Sequence, residues 1–250
     1  MTQMLHTQAL CKQWGDFKAN DAITLAFAPG ARHALIGPNG AGKTTFINLL
    51  TGFYTPTSGD VFLGDDCITA LAQHQRVKRG VTRTFQITTL FPGLTVLESM
   101  VMAINERKGR ARTWWKTVAS CRAEAEEAME ILRSLHLERE ADNATRSLAY
   151  GKQRVVEIAL ALATRPRILL LDEPAAGIPA AESAELFGVL AGLPREVTVL
   201  FIEHDMDLVF RFAERITVLV GGTVLVEGTP EEIARDKQVK EVYLGEAAHA

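Results

Sequence analysis

The chain has 250 residues, 47% hydrophobic and 23% charged, with a formal net charge of −3. This is the composition of a globular protein with one large α/β domain or two small ones, and its acidity argues against a general nucleic-acid binder. No apolar run reaches the roughly 18–20 residues that cross a bilayer, and Met1 to His6 lacks signal-peptide character, so the expected place is the cytosolic side with only peripheral membrane contact.

Glycine and proline divide the chain into short elements. Ala22 to Phe27 alternates apolar and polar residues as a strand does, and Pro29-Gly30 turns into the apolar strand Arg32 to Ile36. Gly37-Pro38-Asn39-Gly40-Ala41-Gly42-Lys43-Thr44 follows, and then Thr45 to Leu50, apolar at helical spacing. Gly59 to Leu63 predicts a strand, and Leu71 to Arg79 a short polar helix. From about Leu94 to Thr164 helix formers dominate, as in Cys121 to Leu132, which predicts a helical insert. Strands resume at Ile168 to Leu171, Thr198 to Ile202, Ile216 to Val220 and Thr223 to Val226. Helices near Ala180 to Leu190 and Met206 to Phe212 separate the first three. Apolar strands alternating with helices predict a parallel sheet covered on both faces. Glu246 to Ala250 are expected to fray. Cys11, Cys67 and Cys121 follow neither disulfide nor metal-ligand spacing, so reduced, partly buried thiols are expected.

The segment from Gly37 to Thr44 fits G-x-x-x-x-G-K-[ST], the loop that cradles nucleotide phosphates. Its glycines and the small Ala41 let backbone N–H groups turn inward around an anion. Lys43 brings positive charge to the β- and γ-phosphates, Thr44 offers a hydroxyl to Mg²⁺, and the following helix N-terminus faces the phosphates. Ile168-Leu169-Leu170-Leu171-Asp172-Glu173 has the form of a Walker B strand, which delivers carboxylates at the edge where open α/β sheets bind ligands. Asp172 suits the Mg²⁺ hydration shell, and Glu173 suits a base that deprotonates the attacking water.

Further segments make the chain resemble the ATP-binding cassette (ABC) ATPases over essentially its whole length. Leu148-Ala149-Tyr150-Gly151-Lys152 stands before a helix at the distance from Asp172 of that family's signature segment. Gln86 matches the Q-loop glutamine, a Mg²⁺ and catalytic position, and His204 matches the switch histidine at the γ-phosphate. Trp14, expected just before the first hairpin, matches the aromatic ring that stacks on adenine. The resemblance implies a P-loop NTPase (RecA-like) parallel-sheet core, an N-terminal antiparallel β part and a helical insert, in a single nucleotide-binding domain. The α/β core would span 1–87 and 165–228, a helical subdomain 88–164 and a helical tail 229–250. ATP and Mg²⁺ are the implied cofactors, with Gly37, Asn39, Gly40, Ala41, Gly42, Lys43, Thr44 and Thr45 binding nucleotide.

The chain departs from the usual Leu-Ser-Gly-Gly-Gln signature. Ala149, Tyr150 and Lys152 replace a serine, a glycine and the glutamine. The lost hydroxyl weakens a phosphate contact by about 1.5–3 kcal/mol if nothing replaces it. The Gly151 N–H and the helix start remain a competent anion site. The D-loop Ala175-Ala176-Gly177-Ile178-Pro179 carries no aspartate, which puts communication across a dimer in question. These departures, with Arg83-Thr84-Phe85-Gln86 and Leu90 to Val96, are similar to the ATP-binding subunits of branched-chain or hydrophobic amino-acid importers. Subunits for urea, amides or aromatic acids, and soluble non-transport ABC ATPases, are the alternatives.

The resemblance implies a second ATP-binding subunit, identical or not, whose signature closes over the same ATP. It also implies integral membrane permease subunits, an indirectly linked periplasmic substrate-binding protein, no nucleic-acid partner, and a peripheral place on the cytoplasmic face of the inner membrane. Leu90, Phe91, Leu94 and Val96 either receive a permease helix or are ordinary core. The basic and aromatic stretch Arg107 to Lys116 either touches membrane or permease or is a solvated loop.

Overall fold

The computed structural model describes residues 4–84, 93–110 and 121–247, the last five of these by backbone only. In chain order the strands are β1 (Leu5–Trp14), β2 (Phe17–Ile23), β3 (Ala26–Phe27) and β4 (Arg32–Ile36), followed by α1 (Lys43–Thr51). Next come β5 (Ser58–Leu63), β6 (Asp66–Cys67), α2 (Gln73–Lys78), β7 (Val81–Arg83), α3 (Val96–Arg107), α4 (Arg122–Ser134) and α5 (Tyr150–Ala163). The chain continues through β8 (Ile168–Asp172), α6 (Ala180–Ala191), β9 (Thr198–Ile202), α7 (Met206–Phe212), β10 (Arg215–Val220), β11 (Thr223–Gly228), α8 (Pro230–Arg235) and α9 (Lys237–Ala247).

Two sheets result. One is antiparallel, in the order β2-β1-β5-β6 with β3 also on β1. The other has the order β11-β10-β4-β9-β8-β7 and is parallel except for its β10–β11 hairpin. Its strands are apolar on both faces, and alternate residues enter different cores. Leu35, Leu170 and Leu200 pack with Phe46, Leu49 and Leu50 of α1 against the antiparallel sheet. Ile36, Leu171 and Phe201 pack on the other face with α3 to α7. Val96, Met100, Ile104, Ala128 and Leu132 of the helical insert belong to that second core. Burial of each of the larger side chains, Val96, Met100, Ile104 and Leu132, is worth about 1.5–3 kcal/mol, which holds the insert against the sheet.

Side-chain caps set several helix starts. Thr95 and Glu98 form a reciprocal capping box at α3, Thr229 and Glu232 do the same at α8, and the Asp205 carboxylate caps α7.

Several expectations need correction. Ala22 to Phe27 is not one strand: β2 stops at Ile23, where the Thr24 and Thr7 hydroxyls take over the N–H groups of Ala9 and Leu25. Trp14 does not precede the first hairpin but ends its first strand, paired with Phe17 across the turn. Of the two readings offered for Val96, ordinary core is the one the structure bears out, since it is fully buried. Leu90 and Phe91 lie outside the described residues. Cys67 is exposed rather than partly buried, Cys121 is buried, and no disulfide forms among the three cysteines.

Candidate nucleotide site

Parallel pairing brings the C-terminal ends of β4, β9 and β8 to one edge, and each end carries a functional segment. The loop after β4 runs into α1 through Gly42, at φ 93°. A Cβ on Gly42 would stand 2.2 Å from the Ala19 carbonyl, and one on Gly37 would stand 2.0 Å from that of Leu219. Only glycine fits either position. Asn20 Nδ2 also donates to the Gly42 carbonyl at 3.1 Å, so β2 braces the loop from the antiparallel sheet. Lys43 is buried, and its Nζ donates to the Gly37 and Pro38 carbonyls at 2.6 and 2.9 Å.

A cavity of about 270 Å³ opens over this loop. Asn39, Gly40, Ala41, Gly42, Lys43, Thr44 and Thr45 form its floor; Trp14, Phe17 and Ala19 form one wall, and Glu173 and His204 another. The Trp14 ring stays 43% exposed, with its edge against Tyr54 at 5.4 Å and Lys12 Nζ 5.2 Å from its centre. Glu173 holds a left-handed backbone, φ 50°, unusual for a side-chain-bearing residue and pinned by the Ile202 carbonyl. Its Oε1 lies 2.8 Å from His204 Nε2.

Two carboxylates stand behind this wall, Asp172 largely buried and Glu203 more fully so. Asp172 ends β8 and is gripped by Arg83 of β7, Nη2 to Oδ2 at 2.7 Å. Burial pushes the Asp172 carboxyl up, the Arg83 guanidinium pulls it down, and Glu173 adds to the rise. Arg83 Nη1 also donates to Asn48 Oδ1 of α1. Glu203 is 5% exposed. It accepts the Ala175 N–H on Oε1 at 2.9 Å and the His204 N–H on Oε2 at 3.2 Å. Burial raises its carboxyl, against those two N–H groups.

Thr44 and Asp172 are hard oxygen donors of the kind Mg²⁺ takes together with phosphates and water. Among the described residues no cluster of three or more His, Cys, Asp or Glu forms a protein cage for a metal. Gln86 lies outside the described residues.

The signature segment does not join this cavity. Leu148 is buried, Ala149 is the N-cap of α5 without a side-chain cap bond, and Lys152 pairs with Glu140. Tyr150 is 42% exposed, with Arg154 over its ring. Tyr150 also stands against Gly177 of the D-loop, and the Glu182 carboxylate stands against Gly151. Glu182 therefore puts a negative charge beside the helix N-terminus that was expected to hold an anion.

Asn48, Asn20 and Glu203 do not stand out in the sequence, and Arg83 does so only as the first residue of Arg83-Thr84-Phe85-Gln86, with no role at the site. An acid closing the apolar run Thr198 to Ile202, directly before His204, was the available signal for Glu203.

The family model described as "ABC transporter" matches residues 20–176, and "Branched-chain amino acid ATP-binding cassette transporter" matches residues 223–249. A relative from Escherichia coli strain K12, the high-affinity branched-chain amino acid transport ATP-binding protein LivG, is 41% identical over 98% of both chains. A solved ATP-binding cassette of an ABC transporter in its ADP conformation has a TM-score of 0.84 at 30% identity, covering 98% of this chain and 100% of its own. A dimeric bacterial ABC transporter cassette has a TM-score of 0.75 at 27% identity, covering 91% of this chain and 99% of its own.

Proposed function

The chain belongs to the ABC transporter family, and from that premise we propose that it is the ATP-hydrolysing subunit of an importer for branched-chain amino acids. It is an ATP-binding subunit whose ATPase activity is coupled to transport. The cargo reading is supported by the branched-chain model match at 223–249 and by the 41% identical relative.

The observation that carries the catalytic reading is one cavity lined by Trp14, Lys43, Thr44, Glu173 and His204. In this reading Trp14 stacks on adenine, and the loop from Gly37 to Thr45 wraps the phosphates with its N–H groups. Lys43 exchanges its carbonyl partners for the β- and γ-phosphates. Thr44, Asp172 and Gln86 would hold Mg²⁺, which supplies charge neutralisation at the β- and γ-oxygens. Glu173 takes a proton from water as its oxygen attacks the γ-phosphorus, and the bridging oxygen leaves with its electron pair on ADP. His204 fixes the Glu173 carboxylate and meets the γ-phosphate.

The signature residues Leu148, Ala149, Tyr150, Gly151 and Lys152 would serve the site of a second ATP-binding subunit, with Gly151 and the α5 N-terminus facing its nucleotide. ATP then holds two subunits together, and hydrolysis releases them. Membrane permease subunits would convert that cycle into alternating access, with a periplasmic binding protein delivering cargo. The chain would sit peripherally on the cytoplasmic face. No helix among the described residues is long and apolar enough to cross a membrane.

The test is Glu173→Gln. The expected protein binds ATP with near-normal affinity, hydrolyses it about 10²–10⁴-fold more slowly, and accumulates in an ATP-bound two-subunit complex. Normal turnover would refute the assignment of the base. Loss of leucine uptake by the reconstituted transporter carrying this variant tests the cargo.

A further inference from the structure

Three stretches remote in sequence bring cations to one groove. Lys78 and Arg79 come from the end of α2, Arg107 and Lys108 from the end of α3, and Arg165 and Arg167 from the turn into β8. Glu106 is the only carboxylate among the groove's described lining residues. The chain as a whole is acidic, so the groove reflects a segregation of charge rather than composition.

Part of this charge is answered from behind. Glu127 of α4 holds Arg107 and Arg165 at 2.8 Å and Lys108 at 3.4 Å, and Glu124 holds Lys108 at 2.8 Å and Arg110 at 3.2 Å. Two carboxylates thus serve four cations, orienting them and leaving a positive surplus. Asp66, which does not line the groove, reaches Arg79 only at 3.8 Å and is itself 79% exposed. Neither Lys78 nor Arg167 has an ion-pair partner among the described residues. The groove encloses about 980 Å³, within the range of ligand sites.

We propose that this groove takes the phosphodiester headgroups of anionic phospholipids at the membrane surface beside the transport complex. The inference rests on the reading of the chain as a peripheral membrane subunit. Guanidinium forks match phosphate oxygens in pairs, and the groove holds four arginines. Cytoplasmic loops of membrane proteins carry an excess of Lys and Arg, so this groove repels such loops. An anionic leaflet attracts it instead, by about 1 kcal/mol per cation near the surface. The lining Val77 and Ala103, with the lysine and arginine stems, supply apolar contact below the headgroup level.

The experiment is co-sedimentation of the full chain with vesicles of phosphatidylcholine alone or mixed equally with phosphatidylglycerol. Binding is expected only to the mixed vesicles, and it should weaken as salt rises. The double variant Lys78→Ala/Arg167→Ala should bind them roughly thirtyfold more weakly, from about 1 kcal/mol per cation. Neither residue leaves a carboxylate orphaned. The control Lys237→Ala/Lys240→Ala removes the same charge from exposed positions of α9 and should bind as the parent does. Equal binding to both vesicle types, or equal loss in both double variants, would overturn the proposal. So would full displacement by inorganic phosphate at matched phosphate concentration, which would assign the groove to free phosphate. Retained vesicle binding with lost permease co-purification would overturn it in favour of an acidic protein segment. ATP binding measured on the same variants should be unchanged, so failure here is distinguishable from failure of the nucleotide site.

Discussion

Arg83 Nη2 lies 2.7 Å from Asp172 Oδ2, so the carboxylate that ends β8 is held by the residue that ends its neighbour β7. The same guanidinium reaches Asn48 in α1. One side chain thereby ties α1 to the carboxylate that ends β8 and to the chain leaving β7.

Arg83→Ala should cost about 2–3 kcal/mol in denaturant unfolding, because both charged groups are largely buried and Asp172 loses its compensating charge. Without the guanidinium, burial and Glu173 drive the Asp172 carboxyl further up. More Mg²⁺ should then be needed for tight ATP binding, measured by calorimetry across a Mg²⁺ series. An unchanged Mg²⁺ requirement would detach Arg83 from the site.

Glu203 ties the turn after Glu173 to His204, accepting the N–H of Ala175 and that of His204. In Glu203→Gln the amide Nε2 must face one of those N–H donors. ATP affinity should stay within about twofold while kcat falls about ten- to a hundredfold, equivalent to one lost charged hydrogen bond. Calorimetry and phosphate release separate the two effects. A fall in affinity with kcat preserved would mean that Glu203 does not act through His204.

His33 is buried beside Thr217 and Phe27, and burial lowers its imidazole to about 3. In the unfolded chain it titrates near 6.5. The folded pKa is the lower one, so its full stabilising contribution is present above about pH 6.5 and is lost as the pH falls from there toward about 3. His33→Phe removes this proton uptake. Its melting temperature should fall less than that of the parent between about pH 7 and about pH 5. Parallel declines in the two proteins would exclude His33 as a source of acid sensitivity.

The parts of the fold legible in the sequence were those written in contiguous residues. Strand β9 and helix α7 emerged at their expected bounds because an unbroken apolar run and a capped amphipathic turn are local signals. β1 was missed because Ala9 adopts φ 45° and the register with β5 shifts between Gln8 and Cys11, which breaks the alternation a strand displays. β7 spans only Val81–Arg83 and takes its identity from pairing with β8. The phosphate loop and Glu173 were legible as motifs. The contacts of Arg83, Asn48, Asn20 and Glu203 were not, because these residues come from separate elements and only folding brings each against the site.

Lys43 at the floor of the cavity is the centre of the account. Calorimetry of ATP binding to the parent chain and to Lys43→Ala tests it most directly. The expected result is a saturable heat in the parent and at least a hundredfold weaker binding in the variant, in line with about 3 kcal/mol for a charge-assisted phosphate contact. An unchanged Kd in Lys43→Ala would mean that the triphosphate binds elsewhere, and the catalytic assignments built on this cavity would fall with it.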